Sequence, residues 1–107
     1  MGKLQKHKSN GQKLIDDMWE GHKEAIICGL KHGGALYRAN GIINATRYQI
    51  TSKEVIQGIV CLLEDEVEIM GVKICEFAIA ALDILGYKKY DGNDEYIVRM
   101  ILSKFDI

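Results

Sequence analysis

The sequence predicts an all-α chain in which about five to six helices stack as a short α-α superhelix. Three observations predict it. Apolar residues recur at three- and four-residue spacing along most of the chain, proline is absent, and glycines or capping residues punctuate the pattern at short intervals. A chain without proline keeps every backbone donor and locks φ nowhere, which suits helices joined by short connections. With 107 residues and 48% hydrophobic content, a single domain spanning 1–107 can bury one core.

Residues 1–8 read as a flexible basic tail carrying Lys3, Lys6 and Lys8. Ser9 and Gln12 then stand at capping-box spacing, and Leu14, Ile15, Met18, Trp19, Ala25 and Ile26 follow at helical spacing. Gly21 is placed to split this stretch in two, and Gly33-Gly34 to end it as a left-handed cap. A helix is expected from about Ala35 to Tyr48, with Leu36, Ala39, Ile42, Ile43 and Ala45 inward and Tyr37, Asn40, Asn44 and Arg47 on a common ridge. Thr51 and Glu54 form a second capping box, whose helix reaches about Glu64 with Val55, Ile56, Ile59, Val60, Leu62 and Leu63 as its apolar face. An acidic turn (Asp65, Glu66, Glu68) reads as solvated. Asn93 or Asp94 caps a last helix to about Phe105.

The stretch from about Val72 to Leu85, closed by Gly86, is apolar nearly all round. At ~100° per residue, Lys73, Glu76, Ala80 and Asp83 fall within about 80° of one another. A helix apolar on every side but one is wrapped by neighbours and open along that edge. This expectation requires Lys73, Glu76 and Asp83 to share one edge, with no sheet beside them. A weak internal repeat accompanies it: Lys23-Glu24-Ala25-Ile26 and Lys53-Glu54-Val55-Ile56 open two helices in the same style. An irregular helix bundle is the plainer alternative.

The segment from Ser52 to Gly86 resembles one HEAT repeat unit. Glu54-Val55-Ile56 opens its outer helix, and the run Ala78-Ile79-Ala80-Ala81-Leu82-Asp83-Ile84-Leu85-Gly86 forms its inner helix. Lys23 to Ile50 is a poorer copy. The unit lacks the proline and the inner-helix arginine that many HEAT units carry. Gly71 to Tyr90 and the acidic Asp91-Gly92-Asn93-Asp94-Glu95 after it are also similar to the C-terminal part of small bacterial immunity proteins of contact-dependent growth inhibition and related toxin systems. That resemblance implies a one-to-one complex with a cognate toxin domain, often a nuclease, whose active site is occluded.

No pattern for catalysis stands out. His7, His22 and His32 make no H-x-x-x-H or H-E-x-x-H, and no Cys/His zinc spacing exists. A Cys28–His32 nucleophilic pair lacks an orienting third group. The acidic run 64–68 is not a calcium loop, and no glycine-rich phosphate cradle is present. No catalytic residue, metal or cofactor is therefore expected. Cys28, Cys61 and Cys75 lack C-x-x-C spacing and read as small buried hydrophobes, since a Cys61–Cys75 disulfide strands the third thiol. No secretory h-region follows the basic start, position 6 is Lys6 where myristoylation requires Ser or Thr, and no apolar run spans a membrane. A cytoplasmic protein is the expectation.

Charge is unevenly distributed. Residues 1–53 hold 9 Lys+Arg against 4 Asp+Glu (+5), and residues 54–107 hold 5 against 11 (−6), for a net −1. A calculated pI near 6.3 argues against nucleic acid as the main ligand. The acidic half suits a basic protein partner, because complementary charge raises on-rates. Glu76, Asp83, Tyr87, Tyr90, Asp91, Asp94, Glu95, Asn40 and Asn44 are the expected partner-binding residues. The expected function is that of an immunity protein that occludes a toxin; the alternative is a small HEAT-like adaptor without a toxin partner.

Overall fold

In the computed structural model, residues 10–69 and 71–87 are described. They form a compact, mostly helical globule with five helices and one two-strand ribbon. The helices are α1 (Asn10–Trp19), α2 (Lys23–Leu30), α3 (Ala35–Arg47), α4 (Lys53–Val60) and α5 (Ile74–Ile84); β1 (Glu68–Ile69) and β2 (Val72–Lys73) lie between α4 and α5. The expected basic tail at 1–8, the Ser9 cap and the last helix lie outside the described residues.

The ribbon corrects the all-α expectation. Glu68 pairs with Lys73 and Ile69 with Val72 in antiparallel register, and Gly71 takes a positive φ of 81° in the turn. The apolar run beginning at Val72 therefore does not start as helix. Its first two residues are drawn into β2, and the carbonyls of the preceding segment cap α5. The amide of Ile74 donates to the Val67 carbonyl at 2.9 Å and that of Cys75 to the Asp65 carbonyl at 2.8 Å. The Lys73 amide donates to Glu76 Oε1 at 2.9 Å. These bonds satisfy three of the orphan donors every helix start presents.

Two helix pairs, α2–α3 and α4–α5, stack so that α2 lies beside α4 and α3 beside α5. The Lys-Glu sequence repeat coincides with the openings of α2 and α4, which are both eight residues long. The core runs through the middle of this double layer, with Ile26, Ile42, Val55, Ile59, Ile74, Phe77 and Leu82 all at most 1% exposed. Close approach at its centre needs glycine. A Cβ on Gly41 would stand 3.0 Å from the Leu30 backbone nitrogen, so α2 and α3 can touch only where that side chain is missing. The first helix, α1, packs across both α2 and α3.

Helix ends follow the sequence in some places and not in others. Gly21 (φ 84°) divides α1 from α2 and Gly86 (φ 73°) closes α5, as expected. Each lets two backbone N–H groups turn back to the last carbonyls, Gly21 to Met18 and His22 to Asp17, Gly86 to Asp83 and Tyr87 to Leu82. Gly33 and Gly34 do not supply a left-handed cap: neither has positive φ, α2 ends at Leu30, and Gly34 is the N-cap of α3. The N-cap of α4 is Ser52 instead of Thr51, and its side chain makes no capping bond. The fourth helix stops at Val60, four residues short of the expected Glu64, because Cys61–Glu64 form turns.

Candidate interaction surfaces

Along α5 the half-exposed residues are Cys75, Glu76, Ile79, Asp83 and Ile84, whereas Ala80 is 1% exposed. The open stripe is thus rotated away from the expected one. Lys73 leaves it for β2, Ala80 faces the core, and Cys75 and Ile79 enter it. Glu76 and Asp83, two turns apart, share its side. Glu76 is partly committed by the bond to the Lys73 amide. The stripe leads to Tyr87, which is 61% exposed. The expected partner residues Tyr90, Asp91, Asp94 and Glu95 lie outside the described residues.

Asn40 and Asn44 are not on an open ridge. They are 9% and 0% exposed, because α1 lies over this side of α3. Asn40 Nδ2 donates to the Leu36 carbonyl at 2.7 Å, and Asn44 Nδ2 donates to the Asn40 carbonyl at 2.8 Å. Their side-chain oxygens accept from Trp19 Nε1 at 2.7 Å and from an Arg47 terminal nitrogen at 2.8 Å. Both amides are consumed inside the fold. A partner-binding role for them is withdrawn.

What this ladder supports is a surface group that the spacing of apolar residues did not reveal. The Arg47 guanidinium carbon lies 4.6 Å from the Trp19 ring centroid and 5.1 Å from that of Tyr48. The Tyr48 hydroxyl donates to the Trp19 carbonyl at 2.6 Å. Both aromatics remain visible to solvent, at 38% and 43%. Trp19 read as core by its helical position. Its place at the end of α1, where the chain turns into α2, brings it to the edge.

The acidic turn holds another departure. Asp65 is not solvated; it pairs with Arg38, Nε to Oδ2, at 2.8 Å, with both side chains about 15% exposed. Its other oxygen accepts the Val67 amide at 3.1 Å. A cleft of about 400 Å³ opens between α2 and α4, with Leu30, Gly58 and Leu62 as floor and Lys31, Glu54 and Cys61 at the rim.

The cysteines are free but not core residues. Cys28 and Cys61 are exposed and Cys75 is half-exposed. Partial burial first, and the Glu76 carboxylate second, push the Cys75 thiol above its ordinary range, with the Lys73 ammonium opposing. Asp17, Glu20 and His22 gather at the α1–α2 corner. The carboxylates address opposite ring nitrogens, Asp17 at 4.0 Å from Nδ1 and Glu20 at 3.5 Å from Nε2. That arrangement suits a histidine held between two acids better than three ligands converging on one ion. No helix among the described residues is long and apolar enough to cross a membrane.

Compared with protein-family models, with curated proteins and with solved structures, the chain matches none.

Proposed function

We propose that this chain is a protein-binding domain built as a short HEAT-like superhelix, and that it acts as an immunity protein. It would neutralise a cognate toxin, a nuclease with a basic cleft, by stoichiometric occlusion. Support for the architecture comes from the two-layer stacking of α2–α3 on α4–α5, the relation between neighbouring units of a helical solenoid. The observation that carries the binding role is the half-exposed α5 stripe, in which Glu76, Ile79 and Asp83 mix carboxylate with apolar surface beside the exposed Tyr87. Acidic groups next to a tyrosine suit a basic cleft, because the charges steer the encounter and the aromatic supplies buried area. The ribbon at 68–73 places a sheet beside α5 and overturns the expectation of a sheet-free edge beginning at Lys73. It leaves the part of the stripe from Glu76 onward.

The test is co-expression with the toxin encoded by the adjacent gene. Protection by the wild-type chain, lost in the double variant Asp83→Lys, Tyr87→Ala while its helical circular dichroism is unchanged, is the expected result. Glu76 is a poor choice for this variant, since it also caps α5. Full protection by the double variant removes the proposed surface. Absence of any neighbouring toxin, combined with binding to another protein through the same stripe, favours the adaptor reading.

A further inference from the structure

We propose that Trp19, Arg47 and Tyr48 form a second, preorganised docking patch that receives a carboxylate from an acidic segment of a partner protein. This proposal stands apart from the α5 stripe and holds or fails separately.

Three features argue for recognition beyond packing. The patch is held from beneath: the buried Asn40 and Asn44 side chains fix the indole N–H and the guanidinium, and the Tyr48 hydroxyl is tied to the Trp19 carbonyl. Most of the rotamer entropy that a surface Arg, Trp and Tyr lose on binding is therefore already lost. Next, the composition fits. Trp, Tyr and Arg are the residue types that dominate protein-binding energy, and all three are exposed within one contact cluster. Finally, the charge is unmatched. Arg47 makes no ion pair among the described residues, whereas Arg38 is paired with Asp65 at 2.8 Å. The contact with the rings is one of charge with π-system and uses none of the guanidinium N–H donors as hydrogen bonds to a carboxylate would. The guanidinium carries five N–H donors, of which one bond, to Asn44, is accounted for. A planar cation held beside two rings, with donors left over, is suited to a bidentate carboxylate.

A nucleic-acid phosphate offers similar oxygens, and its bases could stack on the rings. The protein source is favoured. One arginine does not make the basic track that a strand of phosphates needs, whereas a single guanidinium suffices for one carboxylate.

Trp19 is the chain's one tryptophan, so its fluorescence reports on this patch directly. The full chain is titrated at low ionic strength with end-blocked tetraglutamate, tetralysine and a single-stranded oligothymidylate. The expected result is a saturable change with tetraglutamate and none with tetralysine. The response weakens with added salt, as exposed charge pairs do, and is about tenfold weaker in Arg47→Gln. Arg47→Lys, which keeps the charge but not the planar fork, falls between, and it serves as the comparison if Arg47→Gln does not fold. No response to tetraglutamate, an equal response in Arg47→Lys and wild type, or tighter binding of oligothymidylate than of the peptide overturns the proposal.

Discussion

The Arg38 guanidinium and the Asp65 carboxylate, 27 residues apart, meet at 2.8 Å and join the start of α3 to the segment that caps α5. Arg38 also donates to the carbonyls of His32 and Gly33, at 2.9 and 2.8 Å. Asp65 accepts the Val67 amide through its side chain and the Cys75 amide through its backbone. One ion pair thereby orders the α2–α3 link, the ribbon and the α5 start together.

Arg38→Met strands a shielded carboxylate and two carbonyls, and should cost on the order of 3 kcal/mol in chemical denaturation. Adding Asp65→Asn, which keeps an acceptor for Val67 but removes the unpaired charge, should restore roughly 1 kcal/mol of that loss. Strict additivity of the two changes would show that the pair is not coupled.

Gln49 is the one non-glycine residue with positive φ among those described, at 52°. It ends α3 as glycine ends α1 and α5, with its N–H to Thr46 and that of Ile50 to Ala45. A side chain in this region costs about 1–2 kcal/mol, and glycine returns part of that as unfolded-state entropy. Gln49→Gly should raise stability by about 0.5–1 kcal/mol, read as a higher melting temperature. A loss of stability would show that the glutamine side chain is needed there.

Ser52 occupies the N-cap of α4, yet its hydroxyl is buried without a hydrogen-bond partner. A working N-cap is worth about 1 kcal/mol, but this one makes no bond to lose. Ser52→Ala should change unfolding free energy by less than about 0.5 kcal/mol. A loss above about 1 kcal/mol would mean that the hydroxyl does cap α4 in solution.

The Cys75 thiol titrates above its ordinary value of 9.0 in the folded chain. The unfolded chain then gives up this proton first, so the folded state binds more protons as pH passes upward through that window, and stability falls. The contribution is whole below pH 9.0 and lost above it. Denaturation midpoints of wild type and Cys75→Ala, compared from neutral to alkaline pH, should diverge in slope only in that upper range. Parallel curves would remove the shift.

Sequence alone determined the number and order of the described helices, the breaks at Gly21 and Gly86, and most of the core. These features follow from local spacing and from backbone freedom at single positions, and neither needs a distant partner. The openings of the helices at Lys23 and Lys53 were legible for the same reason, since a repeated pattern repeats its local physics.

Tertiary structure decided which side of each helix stays open. Asn40 and Asn44 have the spacing of an exposed ridge, but Trp19 of α1 engages the first, Arg47 the second, and both are buried in the fold. Ala80 and Ile79 exchange places for a related reason. Neighbouring elements decide which side of an apolar helix is covered, and its own composition scarcely distinguishes the choices. The ribbon is equally a long-range outcome. Val72 and Lys73 could begin a helix, but pairing with Ile69 and Glu68 and capping by Val67 and Asp65 satisfy more backbone groups at once.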